Sequence, residues 1–417
     1  MSLAFGRDIL SIPGPSMIPD RVLQAMHRPA PNIYEGDLID LTARIKDDLK
    51  EVAQTDGEAL IYIANGHGGW EAALSNIVNR GDKLLALSTG RFTRGWIEIA
   101  KPLGADVTEI DFGTDAPIDP QKVEDALRAD RAHEIRAVIC VQTDTASSVK
   151  NDIKALRAAI DAAKHPALLM VDCIACLACD EYRMDEWGVD VTVSACQKGL
   201  MTPPGLAFNH INEKAIEARK RCDQTTGYWD WTMRRTPDVY YMNFYGTAPT
   251  HHLFGLGTAM DMILREEGIE NTWKRHEILA SSVWAAIEAW GTEGSISCNV
   301  TDRNNRSTAV TSVRTGDHDA DALRRWSQDE AGLTLGINLG LTALGSAREN
   351  GLFRIGHMGH LSPPMILGTI ATIDAGFKKL NIPHGPGAIE AATRVIAKSE
   401  TASNPKSSTN QSGTCCT

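Results

Sequence analysis

Several features that would place the chain in a membrane or on a nucleic acid are missing from its sequence. No run of about 18 apolar residues occurs, as a membrane-spanning helix would need. The first residues show no signal-peptide pattern. The chain also lacks the excess of basic residues that binding to nucleic acid requires. It has 42 Lys and Arg and 53 Asp and Glu, which gives a net charge of −11. We therefore predict a cytoplasmic protein that binds neither nucleic acid nor a membrane.

Cysteine is present, but not in the dense pattern of a disulfide-stabilised fold. The nine cysteines are scattered, which suits a reducing compartment. Cys173, Cys176 and Cys179 have the spacing of part of an iron–sulfur ligand run, but no fourth cysteine follows at Met184 or nearby. The segment instead continues a buried strand. We therefore favour small side chains packed in a turn, and we predict no metal site.

The chain does contain the alternation of strands and helices that is typical of an α/β protein. Its hydrophobic content of 43% and charged content of 23% are those of a globular protein. We predict seven strands over residues 60–64, 83–88, 106–111, 136–143, 167–173, 191–196 and 206–211. Helical spacing falls between them over residues 71–79, 92–101, 120–129 and 152–164. This rhythm predicts a mostly parallel seven-stranded sheet with a ligand site beyond the carboxyl ends of its strands.

A chain of 417 residues is too long to fold around one hydrophobic core of ordinary size, so we expect more than one domain. After the large domain, helical patterns at 256–267 and 271–290 lead to a smaller α/β region. That region has strands near 308–314 and 353–358 and helices near 319–331 and 364–380. The predicted segments are an N-terminal arm at 1–40, a large ligand-binding domain at 41–265, a small C-terminal domain at 266–397 and a disordered tail at 398–417.

Lys198 follows an apolar, β-prone run and stands on a turn rich in glycine and proline. The end of a strand holds a side chain rigidly, and the turn after it leaves room for a ligand. A lysine presented in this way can form an imine with a carbonyl compound, which is the chemistry that pyridoxal phosphate enzymes need. The alternative is a surface lysine after a buried strand.

Asp172 ends the preceding apolar strand, Leu168-Leu169-Met170-Val171. A carboxylate in that position is costly to bury unless a cation meets it, and the pyridinium nitrogen of pyridoxal phosphate is such a cation. A salt bridge or a helix cap is the alternative for Asp172 alone. Its pairing with Lys198, one strand later, favours the functional interpretation.

Two further patterns suit an anionic substrate and cofactor. Asn65-Gly66-His67-Gly68-Gly69 follows the first strand and opens a helix, whose free N–H groups can hold a phosphate. Arg354 lies in an apolar strand, and its planar guanidinium can bind a carboxylate through two parallel hydrogen bonds. A turn that merely starts a helix and a structural ion pair are the respective alternatives.

Together these residues resemble the class V aminotransferases of the serine/alanine–glyoxylate group. The resemblance runs from Ser11 to about Ile396. Its most specific pieces are Pro13-Gly14-Pro15, Gly66-His67, Trp70-Glu71-Ala72-Ala73-Leu74, Val171-Asp172, Gln197-Lys198-Gly199-Leu200, Pro203-Pro204-Gly205 and Arg354-Ile355-Gly356. The resemblance implies a fold type I pyridoxal 5′-phosphate enzyme that forms a homodimer, with active sites at the subunit interface.

The resemblance also implies roles for individual residues. Lys198 would hold the cofactor covalently, Asp172 would pair with its ring nitrogen, and Arg354 would bind the substrate carboxylate. Further expected cofactor contacts are the phosphate-binding positions Gly66, His67 and Gln197, with Asn65 beside them, the ring-stacking Phe92 and the hydroxyl donor Thr145. Tyr245 is expected to contact the cofactor phosphate, and Thr247 is expected to reach the phosphate of the neighbouring subunit.

Three departures from the family pattern affect these assignments. The aromatic residue that stacks on the cofactor is usually Trp or Tyr, and here it is Phe92. The family's serine near the phenolic oxygen falls on Ala146, which leaves Thr145 as the donor. The phosphate-binding tyrosine of some members aligns with Phe244, so Tyr245 is its replacement. These changes leave the catalytic core intact, but they affect which substrate the enzyme prefers.

One carboxylate-binding arginine, with no second one assignable, favours a small neutral amino donor. We therefore expect serine or alanine as donor and glyoxylate or a similar 2-oxo acid as acceptor. The alternatives are an aspartate–glyoxylate or pyridoxamine–pyruvate transaminase, and then a lyase or desulfurase. The last would need a mobile cysteine in the second domain, where Cys298 is the only cysteine before the tail.

Overall fold

The structure is a computed structural model that describes residues 2–341 and 351–399. The predicted tail therefore lies outside the described residues from residue 400 onward. The strands of the described part are, in chain order, β1 Ile9–Ser11, β2 Glu58–Ala64, β3 Lys83–Ser88, β4 Asp106–Asp111, β5 Ile135–Val141, β6 Leu168–Asp172, β7 Val191–Ala195, β8 Gly205–Ile211, β9 Ser297–Cys298, β10 Val310–Arg314, β11 Leu333–Leu335 and β12 Leu352–Gly356.

Helices separate most of these strands. They are α1 Asp20–Met26, α2 Asp37–Ala53, α3 Gly66–Ile77, α4 Arg91–Ala100, α5 Pro120–Ala129, α6 Ile153–Ala162, α7 Glu213–Arg219, α8 Trp231–Arg235, α9 Thr250–Met260, α10 Ile269–Trp290, α11 Ala320–Ala331, α12 Pro363–Lys379 and α13 Ala388–Lys398. A π-helical turn, Asp261–Glu267, joins α9 to α10, and a 3₁₀ segment, Tyr240–Phe244, precedes α9. Within the described residues no helix has the length and apolar character that would let it cross a membrane.

The large sheet has seven strands in the order β2-β8-β7-β6-β5-β3-β4. Strand β8 runs antiparallel to both of its neighbours, and the other neighbouring pairs are parallel. The predicted mostly parallel α/β sheet is therefore confirmed. Strands β6 and β7 are buried along their whole length, because helices cover both faces of the sheet.

Each face of this sheet has its own apolar core. On one face, α3 and α4 pack Trp70 and Trp96 against residues such as Ile139. On the other, α2, α5 and α6 bury residues that include Ile45 and Leu169. The central strands are held between these two layers, which keeps the carboxyl ends of β6 and β7 in fixed positions.

A third core surrounds the antiparallel sheet β12-β10-β9 and contains Trp290, Phe353 and Phe377. Strand β1, near the N-terminus, pairs in parallel with β11 and so attaches the start of the chain to this core. The predicted limits of the arm and domains remain predictions. Helix α2 spans the expected boundary near residue 40, and the π-helical turn spans the one near 265.

Helix α3 begins at Gly66, five residues before the predicted start of 71. Its glycines belong to the helix because the helix lies very close to the sheet. A Cβ on Gly69 would lie 2.9 Å from Val193 Cγ1, and a Cβ on Gly66 would overlap Ile174. The glycine-rich run therefore serves close helix–sheet packing as well as a possible ligand.

The large and small sheets are joined through the buried carboxylate of Asp180. One of its oxygens accepts hydrogen bonds from Thr143 Oγ1 and Ser307 Oγ, both at 2.9 Å. The other accepts from the backbone N–H of Thr308 at 2.8 Å and from its hydroxyl at 2.9 Å. Thr143 follows β5 of the large sheet, whereas Ser307 and Thr308 lead into β10. Asp180 therefore fixes the position of the small sheet against the large one.

Replacing Asp180 with Ala should destabilise the protein by about 3 kcal/mol, because it leaves several buried donors without an acceptor. The urea unfolding midpoint, followed by tryptophan fluorescence, measures the change. Asp119→Ala, which removes an exposed helix cap at the start of α5, is the control and should cost about 1 kcal/mol. Equal losses in the two variants would contradict the special role of Asp180.

Candidate active site

Lys198 lies on the turn that follows β7 and points back towards the N-terminal segment. Its Nζ donates a hydrogen bond to the carbonyl oxygen of Pro13. The turn is fixed by Ser16, whose N–H donates to Gln197 O at 2.9 Å and whose hydroxyl donates to Lys198 O at 2.7 Å. Gly14 has a φ of 91°, and a Cβ there would overlap the Lys198 side chain. The Pro13-Gly14-Pro15 segment therefore forms one wall of the lysine site.

Asp172 is the last residue of β6 and is 3% exposed. Its Oδ1 accepts a hydrogen bond from Ile174 N at 2.6 Å, and its Oδ2 accepts one from Trp70 Nε1 at 3.0 Å. No ion pair joins Asp172 to another part of the described chain. Burial raises the pKa of Asp172 to about 7, against the lowering effect of these hydrogen bonds.

Lys198 shows the opposite shift for the same physical reason. Burial, and after it the positive charge of Arg354, lower the pKa of Lys198. The negative charge of Asp172 partly opposes both effects, and the resulting pKa is about 8. The acid and the amine are therefore both pushed towards their neutral forms. A ligand that brings complementary charge to this site would remove that penalty.

Arg354 lies in the middle of β12 and is 5% exposed. Its Nε donates to Ile337 O at 2.6 Å and its Nη1 donates to Thr145 O at 2.7 Å. It forms no ion pair within the described residues, so the structural ion pair that the sequence left open is absent there. Burial lowers its pKa to about 10, while the charge of Asp144 opposes that shift. The guanidinium keeps N–H groups available for a carboxylate ligand.

The buried carboxylate of Asp144 holds Phe92 next to the segment that contains Thr145. Asp144 accepts hydrogen bonds from Phe92 N at 2.7 Å, Ala146 N at 2.9 Å and Ser147 N at 3.1 Å. Phe92 is half-buried, and its ring centroid lies 6.3 Å from that of Trp70. Thr145 uses its carbonyl oxygen to hold Arg354. Burial raises the pKa of Asp144 despite the three N–H donors.

The start of α3 carries the other predicted phosphate contacts. The Asn65 side chain caps the helix by accepting from His67 N at 3.1 Å and Gly68 N at 3.3 Å. Gln197 Oε1 and Ser194 Oγ are buried without a hydrogen-bond partner among the described residues. Such unpaired polar atoms are costly unless a ligand meets them. The helix N-terminus, Gln197, Asp172 and Lys198 together fit pyridoxal phosphate by their chemistry.

Tyr245 and Thr247 are exposed on the outer surface of the chain. Within the described part, no hydrogen bond or ring contact links them to Lys198, Asp172 or Arg354. The preceding Phe244 is buried and cannot offer a surface contact. The buried Arg234 holds this segment by donating to Asn243 O at 2.8 Å and Phe244 O at 3.3 Å.

Three neighbours of the site, Trp70, Gly14 and Asp144, were assigned no role from the sequence, although Trp70 and Gly14 lie in motifs that carry the family resemblance. Trp70 stands one helical turn after Gly66, a spacing that would have placed it on the buried face of α3 beside the strand ends. Gly14 and Asp144 act through contacts distant in sequence, which no local pattern shows. The described residues contain no group of three His, Cys, Asp or Glu side chains suited to a metal ion. Cys173 and Cys176 instead both donate to Gln142 Oε1.

Comparison with known proteins agrees with this geometry. Residues 10–336 match the model of the family described as aminotransferase class-V. The serine–glyoxylate aminotransferase of Methylorubrum extorquens is 37% identical over 93% of this chain and 95% of its own length. The L-aspartate–glyoxylate aminotransferase of Paracoccus denitrificans is 36% identical over 95% and 97%. The solved pyridoxamine–pyruvate aminotransferase of Mesorhizobium loti has a TM-score of 0.85 at 25% identity, covering 95% of this chain and 99% of that one.

The fold and the family match define an aminotransferase of fold type I. More narrowly, the chain belongs to the class V aminotransferases, in the group that includes serine–glyoxylate aminotransferases. Enzymes of this class are generally dependent on pyridoxal phosphate. The predicted family, fold and class of enzyme are therefore confirmed.

The Lys198 amine should react with acylating reagents as a base with a pKa of about 8 when the cofactor is absent. Its ammonium form is disfavoured by burial, so the reactive neutral amine should accumulate as the pH rises through 8. Competitive labelling of the cofactor-free protein between pH 6 and pH 11, with peptide mapping, measures this midpoint. A midpoint near the ordinary lysine value of about 10.4 would contradict the burial argument.

Proposed function

We propose that this enzyme uses pyridoxal 5′-phosphate to move an amino group from serine or alanine to glyoxylate or a similar 2-oxo acid. The observation that carries the proposal is a set of three charged groups, the buried Asp172 and Arg354 and the half-buried Lys198, none of which forms an ion pair inside the described chain. An amino acid and this cofactor together supply the complementary groups: an aldehyde, a protonated ring nitrogen and a carboxylate.

The surrounding residues would hold the cofactor in the following way. Asp172, oriented by Trp70, would face the ring nitrogen, and the aromatic face of Phe92 would cover the ring. The phosphate would lie at the N-terminus of α3, near Asn65, Gly66 and His67, with Gln197 beside it. Thr145 would donate its hydroxyl to the phenolic oxygen.

When bound, the cofactor supplies an aldehyde for the amines and a conjugated ring that can take up an electron pair. Lys198 Nζ accepts the proton that leaves the substrate Cα, and a pKa of about 8 makes the neutral amine available for this near physiological pH. Arg354 binds the α-carboxylate and orients the Cα–H bond towards Lys198. The acceptor then occupies the same site, and Lys198 returns the proton.

The expected donor is small because Arg354 is the carboxylate ligand that the core of the site offers. The names of relatives support this choice, since serine–glyoxylate aminotransferases of Methylorubrum extorquens and Arabidopsis thaliana are 37% and 34% identical to this chain. Relatives named for aspartate and pyridoxamine keep those donors as alternatives.

A desulfurase-type reaction is less well supported. Cys298 lies in β9 and is 6% exposed, and burial raises the pKa of its thiol to about 11. A thiol with this pKa is protonated at neutral pH and is a weak nucleophile.

The same proposal includes a cytoplasmic homodimer. The exposed Tyr245 and Thr247, with the neighbouring exposed apolar side chains of Ile63 and Tyr241, support a subunit interface beside the site. Thr247 would reach the phosphate of the neighbouring subunit. The described cysteines are free thiols, which supports a reducing compartment.

Serine and alanine should transfer their amino group to glyoxylate more efficiently than aspartate does. Lys198→Ala should lower kcat by about a thousandfold or more, because the proton acceptor is lost. A donor–acceptor matrix of steady-state rates measures both effects. Lys214→Ala, which removes a surface lysine paired with Asp190, is the control and should keep its activity.

Activity with aspartate alone would contradict the proposed donor. A pyridoxamine–pyruvate enzyme would be purified without tightly held cofactor, so visible absorption of the purified protein separates that alternative. Borohydride reduction of an active preparation should label the peptide that contains Lys198.

Mixed dimers test the contact across the interface. Thr247→Glu should weaken cofactor binding, because it places a negative charge beside the phosphate. A dimer of one Lys198→Ala subunit and one Thr247→Glu subunit contains one intact site, so refolding the two variants together should restore about a quarter of wild-type activity. Refolding either variant alone is the control. No recovery in mixed dimers detected by mass spectrometry would contradict the role of Thr247.

A further inference from the structure

A cleft of about 350 Å³ opens beside the cofactor-binding residues, between the starts of α3 and α4 and the segment after β11. His67, Trp70 and Phe92 line its inner side. Its lining also includes Arg91, Arg94, the acidic Glu98 and residues 339–341. Because Trp70 binds Asp172 and Phe92 binds Asp144, the cleft lies directly next to the proposed reaction centre.

The two arginines of this cleft differ in their electrostatic state. Arg94 is neutralised by Glu109 at 3.1 Å and Asp111 at 2.6 Å. Arg91 is exposed and forms no hydrogen bond or ion pair with any described residue. Its charge nevertheless reaches the site, since it contributes to lowering the pKa of His67, after burial. Among the described residues, Arg91 therefore offers a guanidinium without an ion-pair partner at the cleft.

The position of Arg91 is linked to that of Arg354 by one short segment. Ile337 O accepts a hydrogen bond from Arg354 Nε. Three residues later, a Cβ on Gly340 would lie 3.6 Å from Arg91 Nη1. Three residues of extended chain span at most about 10 Å, so Arg354 and Arg91 approach one short segment at points no farther apart than that. Glycine at 340 leaves the space in front of Arg91 open.

We propose that Arg91 is a specificity-determining residue that binds the second carboxylate of a four-carbon dicarboxylic amino donor, of which aspartate is the simplest. This rests on the proposed function, because Arg354 must hold the first carboxylate. Arg91 would extend the donor range of the enzyme beyond serine and alanine. A guanidinium is suited to this task because it matches the two oxygens of a carboxylate.

The net negative charge of the chain makes Arg91 more important for binding a dicarboxylate. A net charge of −11 repels dianions in general, so binding of a dicarboxylate requires a local cation. Arg354 is engaged by the first carboxylate and Arg94 by two acids. Arg91 is thus the arginine of the cleft that remains available.

Arg91→Gln tests the proposal, with Arg94→Gln as the matched control from the same cleft. We expect kcat/KM for aspartate to fall about 10- to 100-fold in Arg91→Gln, as for loss of a charged hydrogen bond. The value for serine should stay within about twofold, because serine has no second carboxylate. Arg94→Gln should change neither value by more than that factor. Arg91→Lys should retain an intermediate rate with aspartate.

Binding without turnover provides a second readout. Succinate, a dicarboxylate that lacks an amino group, should bind about tenfold more weakly to Arg91→Gln in calorimetric titrations of the holoenzyme. Propionate, the corresponding monocarboxylate, should bind equally to both proteins.

The outcomes separate this inference from the proposed function. Equal losses for aspartate and serine, or no loss for either, would overturn the role of Arg91. Turnover of serine but not aspartate by the wild-type enzyme would also overturn it and leave the proposed function intact. Failure of serine, alanine and aspartate alike would reject the proposed function itself.

Discussion

The burial of opposite charges that have no partner inside the described chain is the constraint on which the site depends. Asp172, Lys198 and Arg354 are each held by hydrogen bonds to backbone or indole groups rather than by a countercharge. Such charges cost free energy in the isolated chain. The cost explains why the pKa of the acid is raised and those of the two bases are lowered. It also means that ligands with complementary charge bind more strongly than their contact area alone would suggest.

The large sheet positions Asp172 and Lys198, and the small sheet positions Arg354. Asp172 and Lys198 come from neighbouring parallel strands, β6 and β7, whose carboxyl ends meet at one edge. Arg354 belongs to β12 in the small sheet, so its place depends on how that sheet packs against the large one. The Asp180 hydrogen bonds and the contact between Arg354 and Thr145 O provide this connection. Geometry at the site is thus coupled to the interface between the cores.

Local sequence patterns predicted the parts of the site that depend on strand ends. Lys198 and Asp172 were predicted because an apolar run that leads to one polar residue is typical of a buried parallel strand whose carboxyl end faces a ligand. The contacts of Trp70, Gly14 and Arg91 were not predicted, because they are made with residues distant in sequence: Asp172, Lys198 and Gly340, respectively. The early start of α3 was missed because glycine disfavours helices, and only close packing on β7 and β8 outweighs that preference. Long-range packing, rather than local preference, decided these cases.

The departure at Ala146 shows why the core can tolerate a change in the segment near the cofactor. Residues 145–147 contribute mainly through their carbonyl groups: Thr145 O accepts from Arg354, Ala146 O accepts from Ser312 Oγ at 2.7 Å, and Ser147 O accepts from Asn299 Nδ2 at 2.8 Å. These contacts attach the small sheet and do not require particular side chains. A serine can therefore be exchanged for alanine at 146 without disturbing Arg354. We propose that the exchange instead alters the polar groups beside the cofactor, where it would affect substrate preference.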